Sequence, residues 1–228
     1  MKTQSRNVTG NTWRVTGFTL IELLVVIAII ALLAAMIFPI TGAVNRTKMQ
    51  SRAKVELAEI GNAIKLYKDK IGQYPPDNPT NAAVNPLYYE LLGTTNNGTY
   101  YVTLDGGAQI SPATIAAYFS GATAFANSTQ PGGSDETRRA SRFLRDLKPG
   151  RYGQITNGPA PVTLLTCSVV WPNTVLPIQF GGLNPFRYNS SNPTNNPNSF
   201  DLWVDIIISG KTNRISNWSA KPLIVNTP

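Results

Sequence analysis

Residues 18–40, FTLIELLVVIAIIALLAAMIFPI, carry one charged side chain, Glu22, and no other stretch constrains the fold so tightly. Wound as an unbroken helix at about 1.5 Å per residue, the run would be about 34 Å long, enough to cross a bilayer core. An ordinary secretory signal has an apolar stretch of about 7–15 residues before a small-residue cleavage site. Thr41-Gly42-Ala43 imitates such a site, but the run before it is too long. A plain signal anchor fits the length and leaves Glu22 unexplained. A carboxylate in hydrocarbon costs about 2.5–3.5 kcal/mol on insertion scales and wants a partner.

The rest of the composition narrows the chemistry. Of 228 residues, 14% are charged and 42% hydrophobic, so the chain is not a disordered tail. There is no histidine, which removes the commonest general base and metal ligand. Cys167 is the only cysteine, so no intrachain disulfide forms, and its neighbours in VTLLTCSVV make it a small buried apolar residue. Lys2, Arg6 and Arg14 precede Gly17; loss of that segment lowers the net charge from +8 to +5, a mild bias that a solvated basic surface explains as well as an anionic partner does.

Gly17-Phe18-Thr19-Leu20-Ile21-Glu22, the aliphatic run after it and Pro39 resemble the processing region of type IV prepilins and type II secretion pseudopilins. The resemblance implies a leader, residues 1–17, cut by a prepilin peptidase that then methylates Phe18. The apolar segment 18–40 is kept as a membrane and assembly helix. Glu22 would pair with the new amine of Phe18, and Pro39 would break or bend the helix. It also implies the orientation, leader inside and body outside. Charge does not: Arg46, Lys48, Arg52 and Lys54 follow the span, so the positive-inside bias is indecisive or slightly adverse.

The pattern from Val44 to Ile71 stays helical. Leu57, Ile60, Ile64, Tyr67 and Ile71 make one apolar stripe, which Met49 and Ala53 extend backwards. Arg52, Lys54, Glu56, Glu59, Lys65, Lys68 and Asp69 occupy the other face. Gly72 suits the helix end, and Pro75-Pro76 forbids further winding. The expected organisation is therefore a leader (1–17), an apolar helix (18–40), its amphipathic continuation (41–72) and a head (73–228) with an insertion at about 80–165.

In the head, Gly72-Gln73-Tyr74-Pro75 resembles a pseudopilin turn. Residues 85–92 and 112–120 read as short helices, 100–104 as a short strand or extended segment, and 121–133 as a mobile loop. Residues 134–148 read as a helix capped by Ser134, with a basic outer face that a solvated surface explains more simply than nucleic acid or lipid headgroups. Residues 162–170, 176–180 and 200–208 read as strands, and 189–199 as a low-complexity polar loop.

Asn184-Pro185-Phe186-Arg187-Tyr188, Phe200-Asp201-Leu202-Trp203, Ser209-Gly210 and Asn217-Trp218 follow in an order similar to the end of the major pseudopilin of type II secretion systems. Members with such an end often bind calcium there. Here Lys211 stands where the resemblance places acid, leaving Asp201 and Asp205 as weak calcium candidates. The expectation is weak or no calcium binding and no other cofactor, with the loop held by Trp203 and Trp218. Asp201 and Asp205 would share a strand face about 13 Å apart, which does not suggest a hydrolase. No nucleotide loop, nucleophile elbow or metal spacing is present, which counts against the rival class, an anchored enzyme.

These readings converge on an α+β fold, a long N-terminal helix packed on a small antiparallel β-sheet with extended loops. The resemblance implies a structural, non-enzymatic subunit of a type II secretion-like pseudopilus in the bacterial inner membrane, its head in the periplasm. The alternative is a type IV pilin for adhesion, motility or DNA uptake. Implied partners are further copies, minor pseudopilins, the peptidase/N-methyltransferase and the inner-membrane assembly platform; nucleic acid is not expected.

Overall fold

A computed structural model describes residues 17–120, 122–129, 139–156, 158, 160–172 and 180–225, with side chains except those of 36–43. Helix α1 spans Leu20–Ile71, and its helical pattern is not interrupted at Pro39; of the break or bend expected there, the break is absent. The chain divides into two compact units between Asn45 and Arg46.

In the first unit, every described residue from Leu20 to Leu33 is exposed, on all sides of the helix. In the second, the helix is one-sided. Ala53, Ile60, Ile64 and Tyr67 have no exposed surface, and Leu57 and Ile71 nearly none. The stripe read from the sequence is thus the wall of the core. Each such Leu or Ile contributes about 1.5–3 kcal/mol by leaving water. Gly72 closes the helix, its N–H donating to the Lys68 carbonyl at 2.7 Å.

Glu56 departs from expectation. It is buried rather than on the solvated face, accepting bonds from the Ser168 N–H (2.9 Å) and hydroxyl. Arg151 completes the contact, 3.6 Å from Glu56 and 2.9 Å from Glu59. One turn of α1 is thereby fastened to the head.

The remaining elements of the head are short. They are α2 (Leu87–Leu92), β1 (Thr94–Asn96), β2 (Tyr101–Thr103), β3 (Gln109–Ile110), α3 (Pro112–Tyr118), β4 (Ser128–Thr129), β5 (Tyr152–Ile155), β6 (Val162–Leu165), β7 (Arg187–Asn189), β8 (Asp201–Ile208), β9 (Lys211–Ser216) and β10 (Leu223–Val225). They form three sheets rather than the single one expected. The orders are β3-β2-β1-β4, with β1 and β4 parallel, β5-β6, and the antiparallel β10-β9-β8-β7. Ser111 caps α3, accepting from the Thr114 N–H, with Pro112 opening the helix.

The insertion corrects two expectations. Residues 122–129 are not a mobile loop: Phe125 and Asn127 are buried, and Ser128–Thr129 is a strand. Residues 139–148 are not helical, while 134–138 lie outside the described residues. The backbone of this strap is committed elsewhere. The N–H groups of Phe143 and Leu144 both donate to the Leu91 carbonyl. Those of Ala140 and Ser141 donate to the side chains of Thr129 and Asn127. A helix would withdraw these groups from the core. Gly93 lets the strap pass; its φ is +70°, and a Cβ there would meet the Ser141 carbonyl at 2.8 Å. The expected strand at 176–180 falls outside the described residues except for Phe180, which begins a turn.

Glu90 sits where helix, strap and α2 meet, 1% exposed. Tyr67 Oη donates to it at 2.8 Å, and the N–H groups of Ala126 and Asn127 each at 2.9 Å. The Asn127 amide in turn donates to the carbonyls of Glu90 (2.7 Å) and Ser141 (2.6 Å). No cation is paired with Glu90 among the described residues. Burial outweighs the three donors and pushes its carboxyl above the ordinary value of 4.5. A raised value stabilises the fold fully below the ordinary carboxylate range and loses that contribution as pH rises through the folded value. Denaturant unfolding of the full chain in detergent from pH 4 to 8 should therefore show stability declining upward through this range. Glu90→Gln should flatten the profile while lowering stability at acid pH by about 1–3 kcal/mol. An unchanged slope would remove Glu90 as its source.

Candidate processing and assembly site

Gly17, Phe18 and Thr19 precede α1 and are not helical. Phe18 is 80% exposed, so the bond between Gly17 and Phe18 lies in accessible, unwound chain. A Cβ on Gly17 would meet nothing within 4 Å, so this chain's own packing does not require glycine there.

Helix α1 begins with a reciprocal cap. Thr19 N–H donates to Glu22 Oε2 at 2.9 Å and the Thr19 hydroxyl to the same oxygen at 2.7 Å, while Glu22 N–H reaches back to Thr19 Oγ1 at 3.3 Å. This is the capping box of the pattern Thr-x-x-Glu, a signal readable in the sequence that membrane-partner reasoning alone had passed over. Both side-chain bonds fall on Oε2. Among the described residues Oε1 receives none.

Residues 14–38 match the prokaryotic N-terminal methylation motif. The match covers Gly17, Phe18 and Glu22, stops one residue short of Pro39, and supports a type IV pilin-like prepilin processed by its peptidase. Neither a curated protein nor a solved structure matches the chain. Among the described residues no helix is long and apolar enough to cross a membrane. The described side chains of the apolar run end at Ala35, short of the about 20 residues a span needs. The side chain of Pro39 lies outside the described residues.

The two calcium candidates lie on β8, apart in role. Asp205 is held by Arg214, Nε to Oδ1 at 2.8 Å and Nη2 to Oδ2 at 3.0 Å, with Arg187 at 3.9 Å. Asp201 accepts the N–H groups of Asn195 and Asn196 and the Asn195 amide, each at 2.9 Å. Among the described residues, no cluster of three or more acidic, histidine or cysteine side chains has a metal-holding arrangement. The segment compared with a calcium loop is instead a tight hairpin. Ser209 (φ 51°) and Gly210 (φ 73°) turn between β8 and β9, with Ile208 paired to Lys211. Lys211, Thr212 and Asn213 belong to β9, which leaves no ligand-bearing loop. Trp203 and Trp218 do meet, edge to face at 5.8 Å. Asn217 ties the end to β8, accepting from Leu202 N–H at 3.0 Å and donating to the Phe200 carbonyl at 2.8 Å.

Cys167 is 3% exposed, and burial pushes its thiol up to about 12, so it is no nucleophile at neutral pH.

Millimolar calcium should leave the melting temperature of the full chain in detergent unchanged; a rise at micromolar calcium would contradict the ligand accounting above. Asp201→Ala should cost about 2–4 kcal/mol by stranding the donors of Asn195 and Asn196, read by denaturant unfolding. Cys167 should resist thiol reagents at pH 8 until the chain is unfolded.

Proposed function

We propose that the chain is a structural subunit of a type II secretion-like pseudopilus. In this reading a prepilin peptidase cuts after Gly17 and methylates Phe18. Residues 18–40 then root the subunit in the inner membrane, with the head in the periplasm. Copies polymerise, with minor pseudopilins and an inner-membrane assembly platform, into a short filament that aids protein export. The observation that carries it is the methylation-motif match over an apolar helix exposed all round. Such a surface is adapted to lipid or to like helices rather than to a folded head. The order of Asn184-Pro185, Phe200-Asp201-Leu202-Trp203 and Asn217-Trp218 supports the secretion-type reading.

A structural rather than enzymatic role is consistent with a chain lacking histidine and with carboxylates at 56, 90, 201 and 205 already engaged by donors of the head itself. One observation favours the alternative, a type IV pilin for adhesion, motility or DNA uptake. The Ser209-Gly210 hairpin stands where the secretion-type resemblance expects an acidic loop.

Glu22 has the assembly role in this proposal. Its Oε2 is used by the cap, and Oε1 is open to an amine, first that of its own Phe18 and then that of an incoming subunit. An ionised carboxylate in lipid becomes tolerable beside a cation.

N-terminal sequencing of the membrane form should begin at a methylated Phe18; a start at Met1 or Val44 overturns the processing assignment. Glu22→Gln retains the capping geometry and loses the charge, whereas Thr19→Val removes a capping hydroxyl and keeps the charge. With the native assembly machinery, Glu22→Gln should lower sheared-filament yield roughly tenfold, and Thr19→Val much less. Cleavage should persist in both variants. Normal filaments from Glu22→Gln would eliminate charge pairing from the mechanism.

A further inference from the structure

We propose that Arg46, Lys48 and Arg52, with Lys54, form a cationic collar around α1 for the phosphates of anionic lipid headgroups. The proposal rests on the membrane-rooted reading above and names the partner of a segment to which that reading gives no role. No acidic residue occurs between Glu22 and Glu56, and all four cations are exposed. Lys54 donates to the Ala220 carbonyl at 2.9 Å. The other three enter no ion pair among the described residues.

Their angular distribution identifies the partner. At about 100° per residue, Lys54, Lys48 and Arg52 stand roughly 80°, 200° and 240° around the axis from Arg46. The charges therefore encircle the helix. A docked protein reads one face, whereas a headgroup layer meets a helix from every side at one height. The collar rises about 12 Å, which long side chains bring within reach of a headgroup layer about 5–8 Å deep.

The folded head covers the far end of the collar, where Ala53 is buried and Lys54 reaches Ala220, but it does not cover Arg46. Arg46 continues the line of Ala53 and Leu57, which are 0% and 6% exposed, yet it is itself exposed. In chain order the collar follows the apolar run after only residues 41–45. Four cations on the exported side oppose the positive-inside preference, and contact with anionic headgroups offsets that disadvantage.

The test uses the full-length chain reconstituted at low density in vesicles of phosphatidylcholine, alone or mixed with phosphatidylglycerol. A membrane-impermeant amine reagent is applied, and modification of Lys48 is compared with that of exposed Lys211 by peptide mass spectrometry. Lys48 should react about fivefold more slowly in the anionic vesicles. The difference should vanish at about 1 M salt, with Lys211 unaffected. Arg46→Gln/Arg52→Gln should shrink the difference. Equal Lys48 rates in both vesicle types would overturn the collar. So would protection that grows with chain density rather than lipid charge, which would assign this surface to a second copy. Failure of the chain to float with either vesicle type would instead overturn the membrane-rooted reading itself.

Discussion

Burial of the α1 stripe from Ala53 to Ile71 is the constraint on which the head depends. Its sheets contain strands of two to eight residues, and one sheet is a lone hairpin, β5-β6. Isolated hairpins are marginal in water, and short twisted sheets need a second layer to cover their apolar side. The helix supplies an unbroken apolar wall, and bonds at three levels hold it there. Lys54 reaches the Ala220 carbonyl, Glu56 and Glu59 hold Ser168 and Arg151, and Tyr67 reaches Glu90. Tyr67 belongs to both sets, fully buried in the stripe while its hydroxyl serves the polar cluster.

The two parts of α1 answer to different surroundings. From Ala53 onward, apolar residues recur at helical spacing and charges fill the remaining face. From Leu20 to Leu33 there is no such division, because aliphatic side chains point in every direction and Glu22 is the sole charge. A one-sided helix folds against its own chain, while an all-round apolar helix requires an apolar environment outside it. In the proposed function this asymmetry is what polymerisation would use: lipid would shelter the isolated segment, and like helices would replace lipid in a filament.

What could be read from the sequence was what has a local period. The stripe, the Gly72 stop and the positions of α2 and α3 depend on neighbours within a few residues, and they emerged close to expectation. Residues 139–148 have the composition of an amphipathic helix, yet Phe143 and Leu144 donate their N–H groups to Leu91, some fifty positions earlier in the chain. Tertiary hydrogen bonding overrode local propensity, as it does where a strap must cross a core. Glu56 looked like part of a solvated face because Ser168 and Arg151, which make its burial affordable, lie more than ninety positions away. Asn127 gave no signal at all, since its value lies in reaching Glu90 and Ser141 at once. At the N-terminus the reverse holds: Thr19 and Glu22 are three apart, so the cap is legible in the sequence as Thr-x-x-Glu.

The segment 189–199 shows how a sequence of low complexity is held by carboxylates that collect backbone donors. Asp77 accepts the N–H groups of Ser190 (2.9 Å) and Ser191 (3.1 Å) at one end, and Asp201 accepts those of Asn195 and Asn196 at the other. Short polar side chains suit this arrangement because they bond their own backbone in turns, as Asn189 does with Asn192 N–H at 3.0 Å. A carboxylate that collects backbone donors does locally what a bound cation does by collecting carbonyls: it fixes the path of a loop whose side chains cannot form a core. With Asp201 committed to that task and Asp205 neutralised by Arg214, the acidic groups of β8 are spent on holding the chain's own donors and cation. The described C-terminal part of the head is thus tied by the chain's own donors and cation, and Ser209-Gly210 closes β8 and β9 as a two-residue turn.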